Sequence, residues 1–299
     1  MNTPPAAPPS DVMQAFKEAV RLHSGGRVEE AAALYAGILA VQPRHFGALH
    51  LSGIAASQRG DFAAALASID AALAVNPNAA DAHNNRGNVL KELGRLADAL
   101  LSYDRAAALK PDYAEAFNNR GNVLKDLRRP EEALASYDRA IAIRPGYAEA
   151  FNNRGSVLED MQRLEDALAS YESAIALKPD YPGAFNNRGN ALRALSRPEE
   201  ALASYDRALA LRPDYAEALS SRGIALFELK RFDEALASYA RAIALKPDYA
   251  EAYSNRGIAL YECNRIDEAL EDYARAIALK PDYADAFYNR GIAQAKRLR

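Results

Sequence analysis

The sequence predicts an all-α fold, a solenoid of stacked helix hairpins, and two observations carry that reading. The first is a period: AEAFNNRGNVLKDLRRPEEALASYDRAIAIRPGY, from Ala114 to Tyr147, returns 34 residues later as AEAFNNRGSVLEDMQRLEDALASYESAIALKPDY, and the step continues in both directions. A fixed period of this size marks an array in which each repeat buries its apolar face only on its neighbours. The second is helical spacing inside each repeat. Phe117, Arg120, Gly121 and Leu124 share one helical face, and Ala133, Leu134, Tyr137, Ala140 and Ile141 do the same in the second half. Gly121 and Ala133 let two helix backbones approach, and the large residues around them fill the remaining space.

Taking Ala114 as position 1, eight repeats span 12–45, 46–79, 80–113, 114–147, 148–181, 182–215, 216–249 and 250–283. Before them, residues 1–11 read as a disordered Pro-rich lead, lacking the basic start and apolar core of a signal peptide. Repeats 1 and 2 are worn, with Ala19 at position 8 of the first and Ile69 at position 24 of the second. Repeats 3 to 6 each carry Asn-Asn-Arg-Gly, and repeats 7 and 8 drift to Ser220-Ser221-Arg222-Gly223 and Ser254-Asn255-Arg256-Gly257. Residues 284–299 form a final helix that is either a solvating cap or the start of a ninth, truncated repeat.

Local punctuation fits two helices per repeat. Asp112 with Glu115, Asp214 with Glu217 and Asp248 with Glu251 read as capping boxes for first helices. Pro130 and Pro198 suit the first position of second helices, where a missing N–H costs nothing, and Pro145 ends one.

Composition narrows the function. A formal charge of −3 spread along the array argues against a nucleic-acid footprint, and no run is apolar enough to span a membrane. Cys263 is the only cysteine, so there is no disulfide framework, and a cytoplasmic location is the default. His23, His45, His50 and His83 lack metal-site spacing, with His83 read as packing in an aromatic slot. No nucleophile, phosphate loop or cofactor motif stands out, and the repeats leave no room here for a catalytic domain.

An aromatic at position 4, small residues at 8 and 20, Tyr at 24, Ala at 27 and Pro at 32 over this period resemble the tetratricopeptide repeat (TPR). The resemblance implies a right-handed superhelix whose first helices line a concave groove through positions 2, 5, 6, 9, 12 and 13. Position 6 is then a ladder of Asn85, Asn119, Asn153, Asn187, Asn255 and Asn289, broken by Ser221. An amide offers a donor and an acceptor, so such a row can grip an extended peptide backbone without reading its side chains. With helices about 10 Å apart and about 3.3 Å per extended residue, one rung meets about every third peptide residue. Asn88, Asn122 and Asn190 at position 9 stand beside the ladder; recent duplication explains them equally well, as it does the Asn at position 5. The repeats also resemble those preceding the catalytic region in bacterial relatives of protein O-linked N-acetylglucosamine transferases and in plant SPINDLY proteins. That resemblance implies substrate holding.

Two further patterns qualify the groove. Position 7 carries Arg86, Arg120, Arg154, Arg188, Arg222, Arg256 and Arg290 where a leucine-like residue is usual, and the acids at position 19, from Asp98 to Glu268, are its candidate partners. The alternative is that those acids serve only the second helix's N-terminus. Position 5 is Asn or Ser in repeats 3 to 8, which disfavours a carboxylate clamp of the co-chaperone type. Toward the C-terminus the groove turns apolar at Ile224, Phe227, Ile258 and Tyr261, either to seat a hydrophobic anchor or to pack on neighbouring helices. The expected function is a non-catalytic scaffold for extended peptides, with a glycosyltransferase's substrate-holding arm as the rival and self-association through the last helix as a further partner mode.

Overall fold

The computed structural model describes residues 10–298, and every regular element among them is an α-helix. The described residues form two compact bodies, divided between Pro145 and Gly146. The first contains α1 (Ser10–Ser24), α2 (Val28–Val41), α3 (Phe46–Gln58), α4 (Phe62–Val75), α5 (Ala80–Glu92), α6 (Leu96–Leu109), α7 (Ala114–Asp126) and α8 (Pro130–Ile143). The second contains α9 (Ala148–Asp160), α10 (Leu164–Leu177), α11 (Pro182–Ala194), α12 (Pro198–Leu211), α13 (Ala216–Glu228), α14 (Phe232–Leu245), α15 (Ala250–Glu262), α16 (Ile266–Leu279) and α17 (Ala284–Arg297). Odd-numbered helices are the first of each repeat and even-numbered helices the second.

Within each body every helix packs on the next. First helices also reach the following first helix, α3 to α5 and α5 to α7 in one body, and α9 through α11, α13 and α15 to α17 in the other. The first-helix side is therefore the more crowded, inner layer of each body.

The hairpin contact is a tyrosine ring laid on a glycine. A Cβ at Gly121 would lie 2.6 Å from the Tyr137 ring, and one at Gly223 would lie 2.5 Å from the Tyr239 ring. Worn repeat 2 keeps the geometry with an aliphatic side chain, Ile69 over Gly53 at 2.6 Å. Ala99, Ala133, Ala167, Ala201, Ala235 and Ala269, opposite, are fully buried. The turn after each first helix needs one residue of positive φ. Gly26, Gly60 and Gly94 supply it early, and Arg128, Gln162, Ser196, Lys230 and Asn264 adopt φ of 59–60° at the same position later. Only glycine takes this conformation without cost.

Three expectations need correction. The capping boxes do not form: the N-caps are Tyr113, Tyr215 and Tyr249, without side-chain capping bonds. The aspartates stand one residue too early. Glu115, Glu217 and Glu251 instead pair with Arg144, Lys246 and Lys280 at the end of the same repeat, tying its two termini together. The expected lead is shorter than 1–11, since α1 takes in Ser10 and Asp11, and Asp11 complements the helix N-terminus; residues 1–9 lie outside the described residues. Pro130, Pro182 and Pro198 do open their helices.

Arg86, Arg120, Arg188, Arg222 and Arg256 do not pair with position 19. Arg86 Nε donates to Asp70 Oδ1 at 2.6 Å and its Nη1 donates to Ser102 Oγ at 2.9 Å. Arg120 repeats this with Asp104 and Ser136, Arg188 with Glu172 and Ser204, and Arg222 with Asp206 and Ser238. Each arginine thus bridges the preceding repeat's second helix to its own. Ala240 breaks the series before Arg256, and there Asp272 takes the serine's place in the arginine's own repeat, 2.6 Å from its Nη2. Position 19 has a local partner instead: Arg129 forks onto Glu132, Arg231 onto Glu234 and Arg265 onto Glu268, three residues apart.

Candidate functional site

The inner layer carries the position-6 row. Phe117 and its equivalents face the second helix, so the next residues toward the neighbouring first helix are the asparagines at positions 5 and 6. The position-5 side chains are buried, with Asn84 at 5% and Asn186 at 6% exposure, and those at position 6 are half-buried.

The rungs are tied to one another. Asn119 Nδ2 donates to Asn84 Oδ1 at 3.1 Å and to Asn88 Oδ1 at 3.2 Å, and Asn187 Nδ2 donates to Asn152 Oδ1 at 3.0 Å. The repeat before Asn85 has His50 instead of an asparagine at position 5, and Asn85 Nδ2 donates to His50 Nε2 at 3.0 Å. Burial holds the His50 ring below its usual pKa and Asp81 opposes this weakly, so the ring stays the neutral acceptor that this bond requires. The amide nitrogens of Asn85, Asn119 and Asn187 are anchored on the preceding repeat; the oxygens of Asn85 and Asn119 are left as groups a ligand can address, and the Asn187 oxygen accepts a long bond of 3.5 Å from Asn186 Nδ2. Position 5 is therefore working structure rather than a passenger of duplication.

Position 9 has a different task from the one expected. Asn88, Asn122 and Asn190 accept the hydroxyl protons of the buried Tyr103, Tyr137 and Tyr205 at 2.7–2.8 Å. Burial pushes the Tyr137 hydroxyl far above its usual pKa and that of Tyr205 up to about 12, so these rings remain neutral donors. Their acceptor oxygens are thus occupied within the fold. In repeat 5, Glu159 accepts from Tyr171 instead, at 2.7 Å.

The drifted repeats differ. Ile224 and Ile258 replace the position-9 acceptors of Tyr239 and Tyr273. Ile224 and Phe227 are partly buried against the core around Leu226 and Tyr239, and Ile258 and Tyr261 against that around Leu260 and Tyr273. Phe227 also lies 5.4 Å from the Phe232 ring, and Lys296 sits 4.4 Å over Tyr261. These four side chains spend part of their surface on neighbouring helices and leave part open. Position 5 of the repeats before Asn255 and Asn289 is Ser220 and Ser254, and no rung-to-rung bond forms there among the described residues. At the break, Ser221 is too short to reach back, and Asn186 Oδ1 is buried without a hydrogen-bond donor. Asn153 belongs to the same row by position.

The histidines are used singly. His45 Nδ1 caps α3 by accepting from Ala48 N–H, His23 bridges Tyr35 and Gln58, and His83 bonds the Pro77 carbonyl rather than only packing. Among the described residues no three His, Cys, Asp or Glu side chains converge as metal ligands, and no helix is long and apolar enough to cross a membrane.

Comparison with known proteins agrees with this architecture. No curated protein matches the chain. Among solved structures, it is similar to YrrB, a TPR protein described as having an unusual peptide-binding site, at 27% identity and TM-score 0.52 over 63% of this chain and 97% of that one. MamA is similar at 26% identity and TM-score 0.51, over 55% of this chain and 96% of that one. The APC/C hetero-tetramer Cut9–Hcn1 shares the fold at 17% identity and TM-score 0.69, over 93% of this chain and 55% of its partner in the comparison. The tetratricopeptide repeat profile matches residues 50–114, 118–182 and 186–250, and a further TPR profile matches 259–297. With well over half of its length covered, the chain belongs to the tetratricopeptide repeat family.

Proposed function

We propose that the chain is a non-catalytic scaffold that holds extended polypeptide segments along the first helices within a body, with the position-6 amide carbonyls accepting peptide N–H groups. The observation that carries this reading is the polarity of the rungs. Asn85, Asn119 and Asn187 have their nitrogens committed to the preceding repeat, which fixes the side chains and leaves the oxygens of Asn85 and Asn119 as the open groups, while that of Asn187 also accepts a long bond of 3.5 Å from Asn186 Nδ2. A prearranged acceptor loses little freedom on binding. Asn255 and Asn289 keep both donor and acceptor, and Ile224, Phe227, Ile258 and Tyr261 add apolar surface for an anchor at that end. YrrB, whose description names a peptide-binding site, supports the class of ligand. The rival role, a substrate-holding arm for a glycosyltransferase, would use the same face and rests on repeat resemblance alone.

The test is selection of peptides from a random display library on the folded chain, followed by titration against a variant with Asn85, Asn119 and Asn187 changed to alanine. Loss of at least about tenfold in affinity, with melting behaviour retained, is expected. Equal affinity of a folded triple variant for every selected peptide would remove the ladder from the function.

A further inference from the structure

Every repeat but the second has tyrosine at position 24, from Tyr35 to Tyr273, and in the second Ile69 stands in its place. In repeat 3 the tyrosine ring lies on Gly87 and continues to position 9, where its hydroxyl donates to Asn88 Oδ1 at 2.7 Å. Repeats 4 and 6 do the same. Ile69 covers Gly53 but lacks the ring atoms and hydroxyl that carry on to the inner layer. Position 9 of repeat 2 is Ile54, which is half-buried. Beyond Ile69 a cavity of about 130 Å³ lies between α3 and α5, with Ile54, Ile69 and Val89 as apolar walls and Ser57, Gln58 and Asn85 on its polar side.

The lining specifies what fits. No charged side chain borders the cavity, so it selects an uncharged group. Three branched aliphatic side chains suit the faces of a ring, and the polar side can satisfy one hydroxyl. Asn85 has its nitrogen committed to His50 Nε2 at 3.0 Å. Its oxygen has two lone pairs, enough to accept that hydroxyl proton as well as a backbone N–H. Gln58 Oε1 accepts from His23 Nε2 at 3.0 Å, which leaves the Gln58 amide nitrogen to donate to the hydroxyl oxygen. A buried hydroxyl held by both groups has its donor and its acceptor capacity used. The fold makes a similar arrangement wherever a position-24 tyrosine meets a position-9 amide.

We propose that this cavity is a side-chain pocket for a tyrosine of the bound polypeptide, the ring lying where repeat 2 lacks one of its own and the hydroxyl sitting between Asn85 and Gln58. It rests on the peptide-holding role of the first helices and adds a sequence preference to it. The rungs grip backbone without regard to side chains, whereas this cavity reads one residue and so fixes the register of the segment. Phenylalanine fits the same walls but leaves Asn85 and Gln58 without the hydroxyl. Lysine or arginine would bury a charge opposite no acid.

The probes are p-cresol, which is the tyrosine side chain as a free molecule, and toluene, its counterpart for phenylalanine. Each is titrated against the full chain while the methyl NMR signals of Ile54 and Val89 are followed. Saturable binding of p-cresol in about the millimolar range is expected, with toluene at least about threefold weaker. Ile69→Tyr fills the cavity with the ring the other repeats carry. Tyr239 is already accommodated opposite Ile224, so this variant should stay folded and should weaken p-cresol at least about tenfold. Asn85→Ala should bring p-cresol down to the level of toluene and leave toluene unchanged. Peptides selected from a random library on the native chain should carry tyrosine at a fixed position, and those selected on Ile69→Tyr should not. Absence of p-cresol binding, equal binding by a folded Ile69→Tyr, or selected peptides with no tyrosine preference would each overturn the proposal. Failure of the ladder reads differently, because Asn119 does not line the cavity. Tyrosine-bearing peptides that bind Asn119→Ala as well as the native chain would remove the ladder and keep the pocket.

Discussion

The first helices α5, α7, α9 and α11 and the first helices α13, α15 and α17 share one period, yet their inner faces are wired differently. In the former group position 9 is Asn88, Asn122, Ser156 or Asn190, and in the first, second and fourth of these it satisfies a buried tyrosine while position 6 is tethered through position 5. In the latter group Ile224, Ile258 and Ile292 fill position 9, serine or tyrosine fills position 5, and the position-6 amides at Asn255 and Asn289 are untied. The repeat therefore tolerates two solutions on its inner face, a hydrogen-bonded one and an apolar one, because the helix contact itself rests on glycine, alanine and tyrosine. Packing residues hold the period; inner-face residues are free to diverge.

The largest expected effect sharpens the contrast on the arginine series. Asp272 is 5% exposed, and Asp272→Ser should cost about 2–4 kcal/mol by stranding Arg256. Asp206→Ala, an exposed partner of Arg222, should cost at most about 1 kcal/mol. Adding Ala240→Asp to Asp272→Ser recreates the pairing of the earlier repeats and should recover most of the loss; chemical denaturation measures all three. If the double variant is no better than Asp272→Ser, the bridging role assigned to the upstream acid is wrong.

The tyrosines come next. Tyr137→Phe leaves the Asn122 oxygen without its buried donor and should cost about 1 kcal/mol, whereas Tyr239→Phe, opposite Ile224, should change stability by less than about 0.5 kcal/mol. The turns should behave in the opposite sense to one another: Lys230→Gly relieves a positive φ of 60° and should add about 1 kcal/mol, and Gly94→Ala should remove a similar amount. The smallest effect is on pH. His50 has its pKa lowered in the fold by burial, against the attraction of Asp81, so the unfolded chain binds the proton more readily. Stability should be full above the ordinary histidine pKa and decline as pH falls below it, and His50→Gln should flatten that decline below about pH 6.5.

Much of this was legible in the sequence because a 34-residue period exposes its own rules. Gly121, Ala133 and Tyr137 recur, and the structure joins them as their sizes demand. The partners of Arg120 were not legible by the same route. Its acid, Asp104, lies in the preceding repeat, and a reading confined to one repeat finds Glu132 instead, which Arg129 claims three residues away. The signal was present in the coupled change of Ala240 and Asp272, where one acid disappears as another arrives. Asn88 was read as ligand-facing because a sequence shows which residues share a face and not which hydroxyl reaches them. The capping boxes failed on a single residue of register, since Asp112 precedes Tyr113, the N-cap of α7.

The proposed peptide grip rests on tethered rungs that present carbonyl oxygens to a peptide backbone. The direct measurement is calorimetric titration of a library-selected peptide and a series of its single N-methylated forms, since N-methylation removes one backbone donor at a time and leaves the side chains alone. Affinity losses should concentrate at about every third residue and vanish in the Asn85, Asn119 and Asn187 alanine variant. Losses that follow side-chain substitutions, with N-methylation without effect along the whole peptide, would contradict it.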